Sequence, residues 1–398
     1  MRVFIAGVDG YLGWPLALHL GQRGHRIGGA DAFLRRGWVE EMGSHSALPI
    51  PPMDLRLQAF EERCGAPLDF ARGDLTDPDF VLGALRAFRP DAIVHLGEMP
   101  SAPYSMLDVR HATWTQTNNI VGTLNLLYAM REVCPEGHLL KLGTMGEYGT
   151  PNLPIPEGFF EVEYGGRKDR LPFPRQAGSW YHQSKVHDSH NIMLACRIWQ
   201  LRSTDVMQGV VYGTRVDAML GEAEADPRLV TRLDFDQCFG TVINRFCCQA
   251  VIGHPITPFG AGRQKRGFIA LRDSMQCLTL ALETPPGPGE YRVLNQFEEV
   301  RDIAGLAREV QSAARGLGMD VPIRRTENPR AEAEDHYYAP EHQRLLDLGY
   351  KPAGTLGGEL QQILADLRPH RSRIEEKRHL LIPDIRWAGA RNRVKFVE

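Results

Sequence analysis

The sequence has no excess of either charge. Its 46 Lys and Arg stand against 49 Asp and Glu, a net charge of −3, and neither sign forms a block. That absence removes the electrostatic footprint of a nucleic-acid binder or of a protein drawn to an anionic membrane. There is also no Cys-x-x-Cys spacing. The seven cysteines are scattered, and Cys247 and Cys248 are adjacent. An odd, unpatterned set argues against a metal site and a disulfide framework, and for reduced thiols in a cytoplasmic protein. No apolar run reaches the roughly 20 residues that span a bilayer. No signal-peptide pattern precedes the first apolar strand, and no internal repeat is present. What remains is an ordinary composition, 43% hydrophobic and 24% charged. A length of 398 residues allows two domains or one large α/β domain with insertions.

The first half alternates strand and helix patterns. Val3 to Ala6 reads as a buried parallel strand, followed by Gly7-Val8-Asp9-Gly10-Tyr11-Leu12-Gly13 and an apolar-periodic helix to about Gln22. Glycines at this spacing let the backbone turn tightly and approach a pyrophosphate seated on the helix N-terminus. A second strand, Arg26 to Ala30, is closed by Asp31. An acid there accepts hydrogen bonds from an adenosine ribose and repels a 2′-phosphate, which favours NAD over NADP. Arg35 and Arg36 follow closely and are candidate cofactor contacts. Residues 37–66 read as a polar loop plus a helix. Asp74 after the third strand either reaches the adenine amino group or caps the next helix. The fourth and fifth strands are Asp91 to Leu96 and His138 to Leu142. Gly143 to Gly149 lies at the C-terminal end of the fifth, where open α/β sheets bind ligands. A Pro-rich stretch, 150–178, holds a hairpin turning at Gly165-Gly166 and reads as an insertion over the site.

Tyr181-His182-Gln183-Ser184-Lys185 opens the next helix. Positions i and i+4 share a helix face. An ammonium beside a phenol lowers the phenol pKa, and such a phenol can take a carbinol proton as hydride leaves for a nicotinamide. Beyond Gln208-Gly209-Val210-Val211-Tyr212-Gly213 the alternation loosens. The acidic stretch from Gly221 to Asp226 reads as a mobile loop. The expected fold class is α/β: a Rossmann-type doubly wound parallel sheet with a smaller α/β substrate-binding domain in the C-terminal half. Residues 1–205 form the first domain, with returning segments near 239–256 and 289–297. Residues 206–398 form mainly the second.

With both motifs on βαβ elements, the chain resembles the extended short-chain dehydrogenase/reductase (NAD-dependent epimerase/dehydratase) family over nearly its whole length. Several runs resemble its sulfoquinovose-synthase branch: Ser101 to Met106, Leu142 to Gly149, Ser184 to Asn191, Gln208 to Gly213, and Asn328-Pro329-Arg330. The resemblance implies bound NAD, a hexose substrate carried as a nucleotide sugar or nucleoside, and a homodimer formed by the helices of Asn119 and Tyr181. It implies that Tyr181, with Lys185 and Thr144, takes the proton of a carbon 4 hydroxyl, and that water then leaves across carbons 5 and 6. Sugar 4,6-dehydratases carry Thr-Asp-Glu where this chain has Thr144-Met145-Gly146. Glu147 and His182 are therefore the expected substitutes for that acid–base pair. Met145 either walls the sugar or packs in the core. The resemblance adds Asp9, Tyr11, Leu12, Leu75, Leu96, Gly97, Asn119, Gln208 and Val210 to the cofactor contacts. It adds Pro100, Ser101, Gln208, Arg266 and Arg330 to the substrate contacts. Arg272 and Asp273 are expected to form an ion pair. Two departures stand out. The branch has Gln-Arg where this chain has Met99-Pro100, so an anion-binding arginine is missing. Met207 stands where the plant enzymes have asparagine. The competing readings are a sulfoquinovose synthase proper, in which sulfite adds to the alkene, a pure 5,6-dehydratase of an angustmycin-like hexose nucleoside or other nucleotide sugar, a simple 4-epimerase, and a non-catalytic dinucleotide sensor.

Overall fold

A computed structural model describes residues 1–219, 226–333 and 335–397. The main sheet contains β1 (Arg2–Ala6), β2 (Arg26–Asp31), β3 (Asp69–Arg72), β4 (Ala92–His95), β5 (His138–Thr144), β8 (Arg202–Gln208) and β11 (Tyr291–Gln296). All pair in parallel, in the order β11-β8-β5-β4-β1-β2-β3. Val3, Phe4, Ile5 and Ala6 of β1 are all buried, as a strand covered on both faces requires. The strand order reverses between β1 and β4, and their C-terminal ends open the crevice where such sheets bind ligands. Glycines bring neighbouring layers close: a Cβ at Gly28 in β2 would strike the Phe88 ring, and one at Gly29 would strike Val8.

The remaining strands are β6 (Phe159–Tyr164), β7 (Arg167–Pro172), β9 (Val210–Tyr212), β10 (Lys265–Ala270) and β12 (Glu299–Asp302). β12, β10 and β9 form a small mixed sheet. Its second core joins Phe268 and Tyr212 to Phe246, Val310 and Ile363 from the helices Val242–Val251, Ile303–Gly316 and Leu356–Leu367. The fold is thus α/β, with a seven-stranded parallel Rossmann-like sheet and a smaller C-terminal mixed sheet.

Several segments differ from the sequence expectation. The helix Val242–Val251 packs on the Ile303–Gly316 and Leu356–Leu367 helices. The helix Leu271–Glu283 also packs on the main sheet: its Met275 and Leu278 share a core with Val3, Ile5 and Trp14. Residues 37–66 contain helical turns from two helices, Leu34–Glu41 and Met53–Cys64. The β6–β7 hairpin turns at Gly165 (φ 59°) and Gly166 (φ 72°), conformations that glycine adopts without strain. Its Phe159 packs on Tyr291 of the edge strand β11, and none of its residues lines the cavity described below. In the stretch from Gly221 to Asp226, residues 221–225 lie outside the described residues. Arg272 pairs with Glu359, while Asp273 accepts from the Ala353 amide. No described helix is long and apolar enough to cross a membrane.

Candidate active site

A cavity of about 440 Å³ runs from the β1/β4 crevice to the second domain. At one end lie Gly7, Gly10, Tyr11, Leu12, Gly13, Asp31, Arg35, Asp74, Leu75, Leu96 and Gly97. Gly7 has φ 89°, and a Cβ there would stand 2.7 Å from the Gly97 nitrogen. A Cβ at Gly13 would collide with the Gly7 carbonyl. The close approach of these backbone segments therefore requires glycine at both positions. Asp31 accepts the amides of Asp9 (2.9 Å) and Phe33 (2.7 Å). Burial and the nearby Asp9 push its carboxyl up to about 6.

Asp9 and Arg36 do not line the cavity. The Asp9 carboxylate is buried and holds Arg36 at 2.7 Å together with fully buried Arg56. Arg35 reaches the cavity but gives its guanidinium to Asp234 at 2.7 and 3.0 Å. Neither arginine offers a free guanidinium to a 2′-phosphate, which reinforces the NAD preference set by Asp31. Asp74 binds Thr76 through its side chain, and Asp77 caps the following helix. The capping alternative for Asp74 therefore does not hold.

Thr144, Tyr181, His182 and Lys185 line the same cavity, as do Pro100, Ser101, Gln208 and Val210. Thr144 ends β5; the other three lie on the first turns of the helix Trp180–Trp199, which Ser179 caps through the His182 amide. The expected lowering of the Tyr181 phenol is not found. Burial pushes it up, and Glu98 pushes it further. Burial is the larger cause, and the Lys185 ammonium is already paired with Glu98. His182 is held down to about 3 by burial, then by Arg330 and Arg266. It is neutral near pH 7.

Three expected site residues sit behind the wall. Glu147 is fully buried and does not reach the cavity. Burial would raise its carboxyl, but Lys141 (3.2 Å) and Arg175 (2.5 Å) hold it below its ordinary value. It accepts the Thr144 amide at 3.2 Å, while the Thr144 hydroxyl accepts the Gly146 amide at 3.1 Å. Glu147 thus fixes Thr144 without facing substrate. Met145 packs with Tyr148, Ile155, Phe173 and Met207. Asn119 is buried and bonded to the Met99 backbone and Ser184; its neighbour Asn118 lines the cavity.

At the far end, Arg266 and Arg330 line the cavity, joined by Arg245. Arg266 pairs with Glu332. Arg245 is buried against Phe259 and is held down to about 9 by burial and Arg330, with no carboxylate among the causes of its shift. Three guanidiniums and one carboxylate leave this end electropositive, suited to an anion. Sequence reasoning missed Glu98, Asn118 and Arg245. A charge inside the apolar helix Val242–Val251, and an acid just past β4 at the crevice, were the available signals. Among the described residues no group of His, Cys, Asp or Glu is placed to hold a metal.

The NAD dependent epimerase/dehydratase family matches residues 3–295. The chain is 46% identical to the UDP-sulfoquinovose synthase of Sulfolobus acidocaldarius, covering 97% of this chain and 98% of that protein. It is 44% identical to the chloroplastic UDP-sulfoquinovose synthase of Spinacia oleracea, covering 97% of this chain and 79% of that one. The UDP-glucuronic acid 4-epimerase of Bacillus cereus, solved with UDP-glucuronic acid and NAD, has the same fold: TM-score 0.69 at 19% identity, covering 93% of this chain and 99% of that one. On the family match over residues 3–295 and the two relatives at 46% and 44% identity, the chain belongs to the NAD-dependent epimerase/dehydratase family.

Proposed function

We propose that the chain transiently oxidises the carbon 4 hydroxyl of a hexose, removes water across carbons 5 and 6, and takes the hydride back to the sugar. The observation that carries this reading is the convergence of Thr144, Tyr181, His182 and Lys185 on one cavity, between a dinucleotide cradle and an arginine-lined end. Bound NAD supplies the hydride acceptor and a positive ring that favours the Tyr181 phenolate. Tyr181 takes the hydroxyl proton, and Thr144 holds the same oxygen. The resulting ketone acidifies carbon 5. His182, neutral and lining the cavity, accepts that proton and gives it to the departing carbon 6 hydroxyl, so that water leaves and the 5,6-alkene forms. Glu147 acts through Thr144, holding the Met145–Glu147 turn in place. Arg245, Arg266 and Arg330 favour a substrate carrying a nucleotide diphosphate. The test is single turnover with UDP-glucose, following NADH appearance and exchange of the carbon 5 hydrogen with deuterated solvent. Absence of both would sink the reading for this substrate class.

A second reading is a dehydratase that stops at the 5,6-alkene of a less anionic hexose, such as a nucleoside. Pro100 favours it, because it puts an uncharged wall where the resemblance expects arginine. Mass analysis of the compound released from denatured protein separates the two. The same reading includes a homodimer. Leu124, Tyr128, Leu194 and Ile198 lie exposed on the helices Val109–Val133 and Trp180–Trp199, which pack side by side.

A further inference from the structure

Glu98 follows β4 at the crevice and lines the cavity beside the reacting groups. Its side chain is only 3% exposed and is ion-paired with Lys185. His95 faces the same carboxylate at 3.2 Å, but burial holds its pKa down to about 4, so it is neutral. Asp188 is buried, and burial followed by Glu98 pushes its carboxyl well above its ordinary value. Lys141 is spent on Glu147 and Asp205. The Glu98 carboxylate is therefore what balances Lys185.

The nicotinamide of an oxidised dinucleotide is cationic, and that of the reduced form is neutral. An unbalanced ammonium beside it would repel the oxidised ring and leave the reduced ring indifferent. We propose that Glu98 is a charge-balancing residue that, by pairing with Lys185, makes the site prefer the oxidised form of its dinucleotide. The proposal rests on the placement of the nicotinamide beside Tyr181 and Lys185. It gives the carboxylate a role that neither proton transfer nor substrate binding requires. A resting site that keeps the oxidised cofactor is poised to begin with oxidation, and the hydride stays reactive enough to be returned.

The test compares affinities for the two redox forms. Protein exchanged free of copurified cofactor is titrated with NAD+ and with NADH, and the ratio of the two Kd values is read. Loss of ribose contacts alters both affinities alike and cancels in the ratio. Glu98→Gln should move the ratio toward NADH by on the order of tenfold. Glu98→Asp should stay within about twofold of the unaltered protein, since it keeps the charge. Lys185→Met should move the ratio the other way, toward NAD+. The double variant Glu98→Gln/Lys185→Met, neutral again, should return close to the starting ratio. If Glu98→Gln does not fold, the opposite shift in Lys185→Met and the unchanged ratio in Glu98→Asp decide the matter. Equal losses of both affinities in Glu98→Gln, or no shift in Lys185→Met, would overturn the proposal. Failure of the unaltered protein to bind either dinucleotide would instead overturn the function proposed above.

Discussion

Gly146 lies against the His182 imidazole: a Cβ at position 146 would collide with Nε2 and Cδ2 of the ring. The turn Met145–Glu147 and the first turn of the Trp180–Trp199 helix are therefore packed backbone to ring. Ser179 fixes the opposite edge, Oγ to Nδ1 at 2.9 Å. The ring has one seat, and the glycine makes it.

Gly146→Ala should displace His182 while leaving the dinucleotide end intact. The ring is the movable partner, so the protein should still fold. Oxidation, read as NADH in single turnover, should persist. Exchange of the carbon 5 hydrogen should fall at least tenfold, as expected when a general base that contributes 10²–10⁴ is misplaced. Exchange at the unaltered rate would remove His182 from the elimination step.

Tyr181→Phe should abolish NADH formation and leave NAD affinity nearly unchanged, because the phenol acts only on a proton. Lys185→Ala should harm both, since the ammonium is expected to touch the nicotinamide ribose and its loss leaves Glu98 buried without its partner. Stranding a buried charge of this kind costs about 3–5 kcal/mol, so a lowered Tm should accompany the second variant. Wild-type turnover in Tyr181→Phe would show that another group takes the proton.

Asp31 predicts a pH dependence with a definite sign. Its carboxyl is raised to about 6, first by burial and then by Asp9. Ribose hydroxyls bind the charged form, so affinity for NAD should be constant above pH 6 and weaken as pH falls below it. The limit is about tenfold in apparent Kd per pH unit, one proton taken up by the free site. Asp31→Asn should bind more weakly and lose that slope. Titration calorimetry from pH 5 to 8 reads both.

The dinucleotide half was legible because its signals are local. A strand, a glycine turn and an acid at the next strand end are contiguous in sequence, and the structure places Gly7, Gly13 and Asp31 together on that basis. The reacting end was legible only in part. Thr144, Tyr181 and Lys185 reach the cavity as spaced. Glu147 does not, because Lys141, inside the preceding strand, and Arg175, 28 positions further along, draw its carboxylate behind the sheet end. The rise in the Tyr181 phenol was not legible either, because burial, its larger cause, and then Glu98 come from the tertiary fold. Helix spacing gave the Lys185 ammonium, but Glu98, which balances it, comes from the end of another strand. Charge pairing across 87 positions leaves no periodic trace in a sequence.

The exposed stripe predicts an oligomer. Leu124→Glu with Ile198→Glu would place charges on both helices of the proposed interface, where apolar contact is expected. The unaltered chain should sediment as a dimer and the variant as a monomer that still binds NAD. A monomer in the unaltered protein would remove the dimer from the reading.

The final addition of sulfite is the step for which this site is least equipped. Met99 is fully buried, in a cluster with Trp38, Tyr104 and Tyr181, and its amide is fixed to Asn119. Pro100, next along the chain, is exposed to the cavity. An arginine at position 100 would therefore reach a bound anion, and proline brings neither charge nor donor. Two of the guanidiniums that line the cavity are already engaged, Arg35 by Asp234 and Arg266 by Glu332. Arg245 and Arg330 lie at the end proposed for the nucleotide diphosphate. An anion without a partner in a partly closed pocket carries a desolvation cost of at least a few kcal/mol. UDP-glucose with NAD and sulfite should therefore give little or no UDP-sulfoquinovose, while the oxidation and elimination steps proceed to an alkene on a suitable hexose. Pro100→Arg should raise the sulfite-dependent product, with carbon 5 exchange unchanged. Mass analysis of the reaction mixtures reads both. Efficient sulfonate formation by the unaltered protein would mean that another cation, with Arg245 the first to test, holds the sulfite.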